Sequence, residues 1–200
     1  MIFNKTLDNL KNGLKQLPGV GEKTAQRYAL YLLNQNKEHS LSLADTIREA
    51  VESHTFCKTC NMLSDSSPCV ICRDKERDCS LLCVVENTYD VYLIENTGDY
   101  HGYYFVLGHL LSPMEGIGIG EIHLPELLKR IEDEKIKEVV LALNPSAEGE
   151  TTIELIAGEI GPNKKTITRL STGLPFGGNI EYSSPTTLSN AIRRRYSISG

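Results

Sequence analysis

The segment "LLCVVENTYDVYLIENTGDYHGYYFVLG", residues 81–108, decides the fold. It contains two continuous apolar runs, LLCVVE and YYFVLG, and a helical pattern over Asn87–Glu95 lies between them. Strands that are apolar without alternation are covered on both faces, as in parallel sheets. The segment therefore predicts two parallel strands joined by a helix.

The same alternation continues toward the carboxyl terminus. The runs EVVLAL (138–143) and TITRLS (166–171) predict further strands, and helical patterns lie near Pro125–Asp133 and Thr151–Ile160. Short apolar strands that alternate with helices are typical of α/β proteins. We therefore expect an α/β fold in which a mainly parallel sheet with flanking helices occupies residues 80–175.

Acidic residues follow two of the predicted strands. Glu86 ends the first strand, and Glu148 and Glu150 follow the third in the sequence NPSAEGE. Function gathers at the carboxyl ends of parallel strands, and Mg²⁺ prefers oxygen ligands. The arrangement resembles the Toprim domain of topoisomerases and primases, with Glu148 and Glu150 in place of the usual Asp-x-Asp. The acids indicate a Mg²⁺ site, or else only a helix start at which the helix dipole favours Glu150.

Four cysteines precede the sheet in the sequence "CKTCNMLSDSSPCVIC". Two Cys-x-x-Cys pairs separated by eight residues can surround one tetrahedral Zn²⁺ with no open position, which is typical of a structural site. The predicted ligands are Cys57, Cys60, Cys69 and Cys72. An iron–sulfur cluster uses the same ligands, and a redox dithiol is a further alternative. Of the other two cysteines, Cys83 is expected to be buried in a strand, and Cys79 has no assignment.

A glycine turn lies near the amino terminus in the sequence "LPGVGEKTAQRY", Leu17–Tyr28. Apolar residues at helical spacing flank it on both sides, which predicts a helix-hairpin-helix. Gly19 and Gly21 let peptide N–H groups approach an anion at a helix start, and Lys23 and Arg27 lie one turn apart beside them. The pattern resembles hairpins that bind DNA without sequence specificity. The alternative is an ordinary helix–helix turn with a solvated basic face.

Charge and length limit the classes of function. The chain has 200 residues, a formal net charge of −5 and a pI of about 5.6, so DNA binding requires a local basic patch. No apolar stretch approaches the length of about 18 residues that spans a membrane, and no signal peptide is expected at the amino terminus. The six cysteines are then expected in a reducing cytoplasm as metal ligands or core residues.

The order of the motifs predicts four segments. They are a helix-hairpin-helix DNA-binding region (1–55), a four-cysteine zinc finger (56–79), a Toprim domain (80–175) and a C-terminal segment with a helical tail (176–200).

This order, together with the sequences at 103–118, 144–150 and 173–182, resembles the RecR family of bacterial recombination mediators. The resemblance implies a non-enzymatic, cytoplasmic and nucleoid-associated protein that forms a ring-like homotetramer around DNA. With RecO, and in many bacteria RecF, such proteins help to load RecA on single-stranded DNA during recombinational repair.

The resemblance also implies roles for the motif residues. Lys23 and Arg27 would contact DNA, the four cysteines would bind zinc, and the three Toprim acids would contact a partner or DNA without cleaving a strand. Two departures concern partner docking: residues 116–123 lack the proline usual after the glycines, and Asn179 stands where Asp is common.

The alternative function is a Mg²⁺-dependent Toprim nuclease, primase or topoisomerase. A topoisomerase needs a tyrosine nucleophile presented by a further domain, for which the chain leaves no room. A primase needs nucleotide-binding machinery, and no P-loop sequence is present. The sequence therefore favours the mediator.

Overall fold

The chain divides into two compact units, residues 1–54 and 55–200. Their structure is known from a computed structural model that describes residues 5–161 and 165–198. None of the helices in these ranges is both long and apolar enough to cross a bilayer.

The first unit contains three helices: α1 (Lys5–Leu14), α2 (Glu22–Asn34) and α3 (Lys37–Ser53). A tight turn joins α1 to α2, and its Gly19 adopts a left-handed conformation with φ of 75°. Ala25 and Ala29 are the fully buried residues of α2. Because they are small, α1 and α2 can pack closely, and the predicted helix-hairpin-helix is confirmed.

An ionic cluster connects α1 to the start of α2. Glu22 accepts from the ammonium groups of Lys11 at 2.9 Å and Lys15 at 2.5 Å, and Lys11 also lies 3.5 Å from Asp8. Hydrogen bonds from Lys15 and Lys11 lower the pKa of Glu22 from its ordinary 4.5 to about 2. The side chains of Glu22 and both lysines remain partly exposed to solvent.

The third helix contributes no buried residue to the described structure. Asn36 caps its start by accepting from the Glu38 N–H at 3.0 Å, and His54 follows its last residue as the C-cap. Its apolar side chains Leu43, Ile47 and Val51 are exposed. This apolar face of α3 therefore has no cover among the described residues of the first unit.

The second unit is built on a four-stranded parallel sheet. Its strands are β3 (Asp78–Val85), β4 (Gly102–Val106), β5 (Glu138–Leu141) and β6 (Thr166–Arg169), in the order β4-β3-β5-β6. The described helices around it are α5 (Thr88–Glu95), α6 (Leu124–Ile131) and α7 (Ala147–Ile160). The predicted α/β fold is confirmed.

The two faces of the sheet carry separate cores. Leu82 and Val84 of β3 point to one face and pack with α6 and α7. Cys83 and Val85 point to the other face and pack with Val91 of α5 and with residues of the cysteine segment. Successive residues of a strand face opposite sides. The continuous apolar run of β3 therefore reflects burial on both faces.

Small elements complete the second unit. Strands β1 (Thr55–Phe56) and β2 (Leu63–Ser64) form an antiparallel pair, and α4 covers Val70–Arg73. The helical tail is confirmed as α8 (Pro185–Arg193), whose start is capped by Ser184.

Helix α7 begins earlier than the sequence pattern indicates. The apolar pattern placed its start near Thr151, whereas the helix starts at Ala147 because the Ser146 hydroxyl accepts from the Gly149 N–H at 3.1 Å. A Cβ atom at Gly149 would lie 1.9 Å from the carbonyl oxygen of Asn144. Glycine is thus required for the turn that carries the acidic residues.

We expect Gly149→Ala to lower the free energy of unfolding by about 1–3 kcal/mol, because the added methyl group must displace backbone. Gly158→Ala is the matched control in the same helix, since a Cβ there meets nothing within 4 Å. The control should be neutral or stabilising by up to about 1 kcal/mol. Urea denaturation followed by circular dichroism measures both changes, and equal shifts in the two variants would contradict the steric argument.

The cluster around Glu22 predicts a pH dependence. Because folding lowers the pKa of Glu22 from 4.5 to about 2, its ion pairs stabilise the folded chain above pH 4.5, and this contribution is lost between pH 4.5 and 2. Wild type should melt at a slightly higher temperature than Glu22→Gln at pH 6, since exposed ion pairs contribute little to stability, and the difference should shrink toward pH 2. A difference that does not change with pH would refute the role of the carboxylate charge.

Candidate nucleic-acid interface and metal centre

The glycine turn presents two exposed cations from α2. Lys23 and Arg27 both lie on the exposed surface of the helix. Among the residues that the structure describes, no carboxylate lies within ion-pairing distance of either side chain, whereas Lys11 and Lys15 are paired with Glu22. The Arg27 guanidinium lies 5.5 Å from the centre of the Tyr28 ring. The charges of Lys23 and Arg27 therefore remain available for an external anion.

Glycine occurs at the two positions of the turn for different structural reasons. Gly19 has φ of 75°, which side-chain-bearing residues rarely adopt. Gly21 has φ of −80° and precedes the first turn of α2. A Cβ atom at Gly21 would meet nothing within 4 Å. The fold itself therefore does not require glycine at 21, and its absent side chain leaves the N-terminus of α2 open to a ligand.

Four cysteine sulfurs converge in the second unit. The Sγ atoms of Cys57, Cys60, Cys69 and Cys72 all lie within 4.8 Å of one another, and the Cys60 and Cys69 sulfurs are 3.6 Å apart. A tetrahedral Zn²⁺ with Zn–S bonds of about 2.3 Å needs similar separations. Cys57, Cys60 and Cys69 are buried. The residues therefore fit one closed, structural metal site.

Backbone groups and burial tune these thiols in opposite directions. Burial opposes ionisation of Cys57, but N–H groups of Cys69, Thr59 and Cys60 donate to its sulfur and lower its pKa to about 6. A hydrogen bond with Cys72, together with burial, raises the pKa of Cys60, and burial raises the pKa of Cys69 to about 11. Several adjacent thiolates can therefore exist together only with a cation between them.

The cysteine segment also closes one edge of the sheet. Strand β4 is the edge strand next to β3, and its Val106 N–H donates to the carbonyl oxygen of Cys60 at 2.8 Å. The amide of Asn61 donates to the Val106 carbonyl at 2.9 Å. Asn61 has φ of 59°, the one positive φ outside glycine among the described residues. The first cysteine knuckle thus satisfies backbone groups that an edge strand would otherwise expose.

Two of the three predicted acids line one cavity at the carboxyl ends of the strands. Glu86 and Glu148 border a cavity of about 470 Å³ together with His109 and Glu115, and the Asn144 amide donates to Glu86 at 3.0 Å. The backbone N–H of Glu148 and the Ser146 side chain lower the pKa of Glu148. The cavity therefore carries negative charge at neutral pH.

The third acid lies elsewhere. Glu150 is bound by Arg169 of β6 through two hydrogen bonds of 2.7 and 2.5 Å, and this pairing lowers the pKa of Glu150. Two residues along a helix are about 200° apart around its axis, so Glu148 and Glu150 point to different sides of α7. The structure therefore does not bring all three acids of the predicted Mg²⁺ site together. Of the three predicted acids, Glu86 and Glu148 share the cavity.

Several structural contacts of the second unit cannot be predicted from the sequence. Arg77 donates to Glu95 and to the Gly102 carbonyl, and Tyr104 donates to the same carboxylate, so three segments meet at one ion pair. The sequence gives no periodic signal for such pairs, because the partners are far apart in the chain. The positive φ of Asn61 has only a weak signal in the sequence, namely that asparagine tolerates this conformation better than most residues.

Three family models match the chain in the order of its motifs. A model described as RecR, helix-hairpin-helix matches residues 7–51, the model of the RecR four-cysteine zinc finger domain matches residues 55–74, and a Toprim domain model matches residues 80–171.

Curated relatives match nearly the full length. The chain is 41% identical over 197 residues to recombination protein RecR of Cutibacterium acnes, with 98% of each chain covered. It is 39% identical over 198 residues to recombination protein RecR of Bifidobacterium adolescentis, with 99% of each covered. It is 40% identical over 195 residues to recombination protein RecR of Staphylococcus saprophyticus, with 98% of each covered. With this coverage and identity, the chain belongs to the family of recombination protein RecR.

Proposed function

We propose that this protein is a non-enzymatic DNA-binding mediator of recombinational DNA repair. It encloses DNA as a ring-like homotetramer and acts with RecO and RecF to load RecA on single-stranded DNA. The observation that carries the proposal is the pair of cations Lys23 and Arg27 beside the open glycine turn, with which no carboxylate of the described residues forms an ion pair. Its place of action is the cytoplasm, at the nucleoid.

Electrostatics supports contact with the DNA backbone. Lys and Arg side chains and helix N-termini are the usual contacts to phosphates, and such contacts carry no sequence information. The net charge of −5 does not prevent binding, because charges beyond about 8–10 Å are largely screened at physiological salt. Lys23 and Arg27 together with the N–H groups near Gly19 and Gly21 would therefore hold phosphates without reading bases.

Self-association supplies what one hairpin lacks. Two cations give weak and salt-sensitive binding, whereas several linked hairpins bind with a high effective concentration. The apolar face of α3 is exposed, and so are Phe176, Tyr182 and Tyr196 of the C-terminal segment. Exposed apolar patches of this kind are typical of protein–protein interfaces, which supports self-association.

We assign the cysteine centre to one structural Zn²⁺ per chain. All four ligands are sulfur, and no position is left for water, so the ion would hold the fold and not act as a catalyst. We propose the same four segments as the sequence analysis. They are the hairpin region (1–55), the zinc finger (56–79), the Toprim domain (80–175) and the C-terminal segment (176–200).

The acidic cavity lacks one of the three acids predicted for a Toprim metal site. With Glu150 held by Arg169, the predicted set of three acids is reduced in the cavity to Glu86 and Glu148. This arrangement weakens the alternative of a Toprim nuclease, primase or topoisomerase. Mg²⁺ at Glu86 and Glu148 remains a proposal, as does their contact with a partner protein.

We expect Lys23→Ala combined with Arg27→Ala to weaken DNA binding at least about tenfold in fluorescence anisotropy, because two phosphate contacts per subunit are lost. The mass of the assembly in solution should stay unchanged. The matched control removes two charges from α3, Lys37→Ala with Arg48→Ala, and should bind nearly as wild type. Parental affinity in the hairpin variant would reject the proposed interface.

The metal assignment is tested with Cys57→Ala and the control Cys79→Ala, whose cysteine is exposed and outside the cluster. Wild type and control should contain one zinc per chain by elemental analysis, and Cys57→Ala should contain none and be less soluble.

In wild type treated with a chelator, β4 should lose amide hydrogen-exchange protection, because the knuckle that covers Val106 depends on the ion. Folded, metal-free Cys57→Ala with β4 still protected would contradict a structural role.

A further inference from the structure

Two lysines next to the proposed DNA-binding turn are already held in ion pairs. Lys11 and Lys15 lie on and just after α1, and both ammonium groups contact the carboxylate of Glu22. Glu22 is the first residue of α2 and directly precedes Lys23. Among the described residues, Glu22 pairs with both lysines and Asp8 also lies 3.5 Å from Lys11, whereas Lys23 and Arg27 have no ion pair.

The position of Glu22 brings it into competition with a phosphate. A helix N-terminus favours an anion, and Glu22 already places a carboxylate in the first turn of α2. The same carboxylate withdraws two ammonium groups from any external anion. A bound phosphate chain must therefore displace these ion pairs, or bind with Lys23 and Arg27 alone.

We propose that Glu22 limits the affinity of the hairpin for a polyanion by holding Lys11 and Lys15 in ion pairs beside the glycine turn. Glu22 thus lowers the affinity of each subunit for DNA. The inference deepens the proposed function and rests on it, since it concerns the same DNA-binding turn.

A purely structural role explains the cluster less well. Helix α2 is anchored by its fully buried Ala25 and Ala29, which need no ion pair. The side chains of Lys15 and Glu22 are 41% and 55% exposed, and exposed ion pairs contribute little to stability. The ion pairs matter more for DNA binding than for stability, because each lysine that is released toward DNA can neutralise one phosphate.

The test compares Glu22→Gln with wild type, using fluorescence anisotropy of labelled duplex and single-stranded oligonucleotides at several salt concentrations. Glutamine keeps the shape and removes the charge. We expect binding about fivefold tighter or more, and a plot of log K against log salt that is steeper by up to about 1.8 for duplex DNA. Glu22→Gln combined with Lys11→Gln and Lys15→Gln should restore the wild-type slope.

A second variant keeps the proposal falsifiable if Glu22→Gln folds poorly. Glu22→Gln combined with Lys11→Gln and Lys15→Gln removes the whole cluster without leaving an unpaired carboxylate beside the turn, and it should bind DNA no more than about threefold weaker than wild type, because in wild type Glu22 holds these lysines. A loss of tenfold or more would show that they are direct contacts and would overturn the inference. Unchanged or weaker binding of folded Glu22→Gln would overturn it as well.

The Lys23→Ala, Arg27→Ala variant, measured in the same assay, separates the two proposals. If this variant loses DNA binding and Glu22→Gln does not gain it, only the role of Glu22 fails. If this variant keeps wild-type affinity, the hairpin is not the DNA-binding surface and the proposed function fails.

Discussion

The second unit depends on a parallel sheet that is buried on both faces. Residues of β3 alternate between the core formed with α6 and α7 and the core that contains the cysteine segment. A parallel sheet of this kind exposes backbone groups only at its edges. At the β4 edge, Cys60 and Asn61 satisfy the amide and carbonyl of Val106. The metal centre and the sheet are therefore parts of one packed structure.

The distribution of charge reconciles an acidic chain with a polyanionic ligand. Acidic groups near the carboxyl ends of the strands surround a cavity, while the described part of the first unit leaves Lys23 and Arg27 without a paired carboxylate. Within the first unit, Glu22 pairs with Lys11 and Lys15, and we propose that this pairing limits how many of the neighbouring lysines can reach a phosphate.

The pairing of Glu150 with Arg169 shows how packing redirects a motif. In sequence, Glu148 and Glu150 resemble an acidic pair that acts together. The helix that starts at Ala147 separates them around its axis, and Arg169 on β6 binds the second. The two acids that do share a cavity, Glu86 and Glu148, come from separate segments, which the order of the strands brings together.

The sequence alone determined the strands of the sheet, the hairpin and the cysteine ligand set. Continuous apolar runs defined the buried strands, the glycine turn defined the hairpin, and the cysteine spacing identified four ligands that the structure brings together. These features are local, so residue type and spacing are sufficient to predict them. Only the tertiary structure decided that the knuckle at Asn61 covers β4, that Arg169 occupies Glu150, and that Glu22 binds two lysines. Each of these contacts joins separate elements, and its partner is selected by how those elements pack, which no local pattern records.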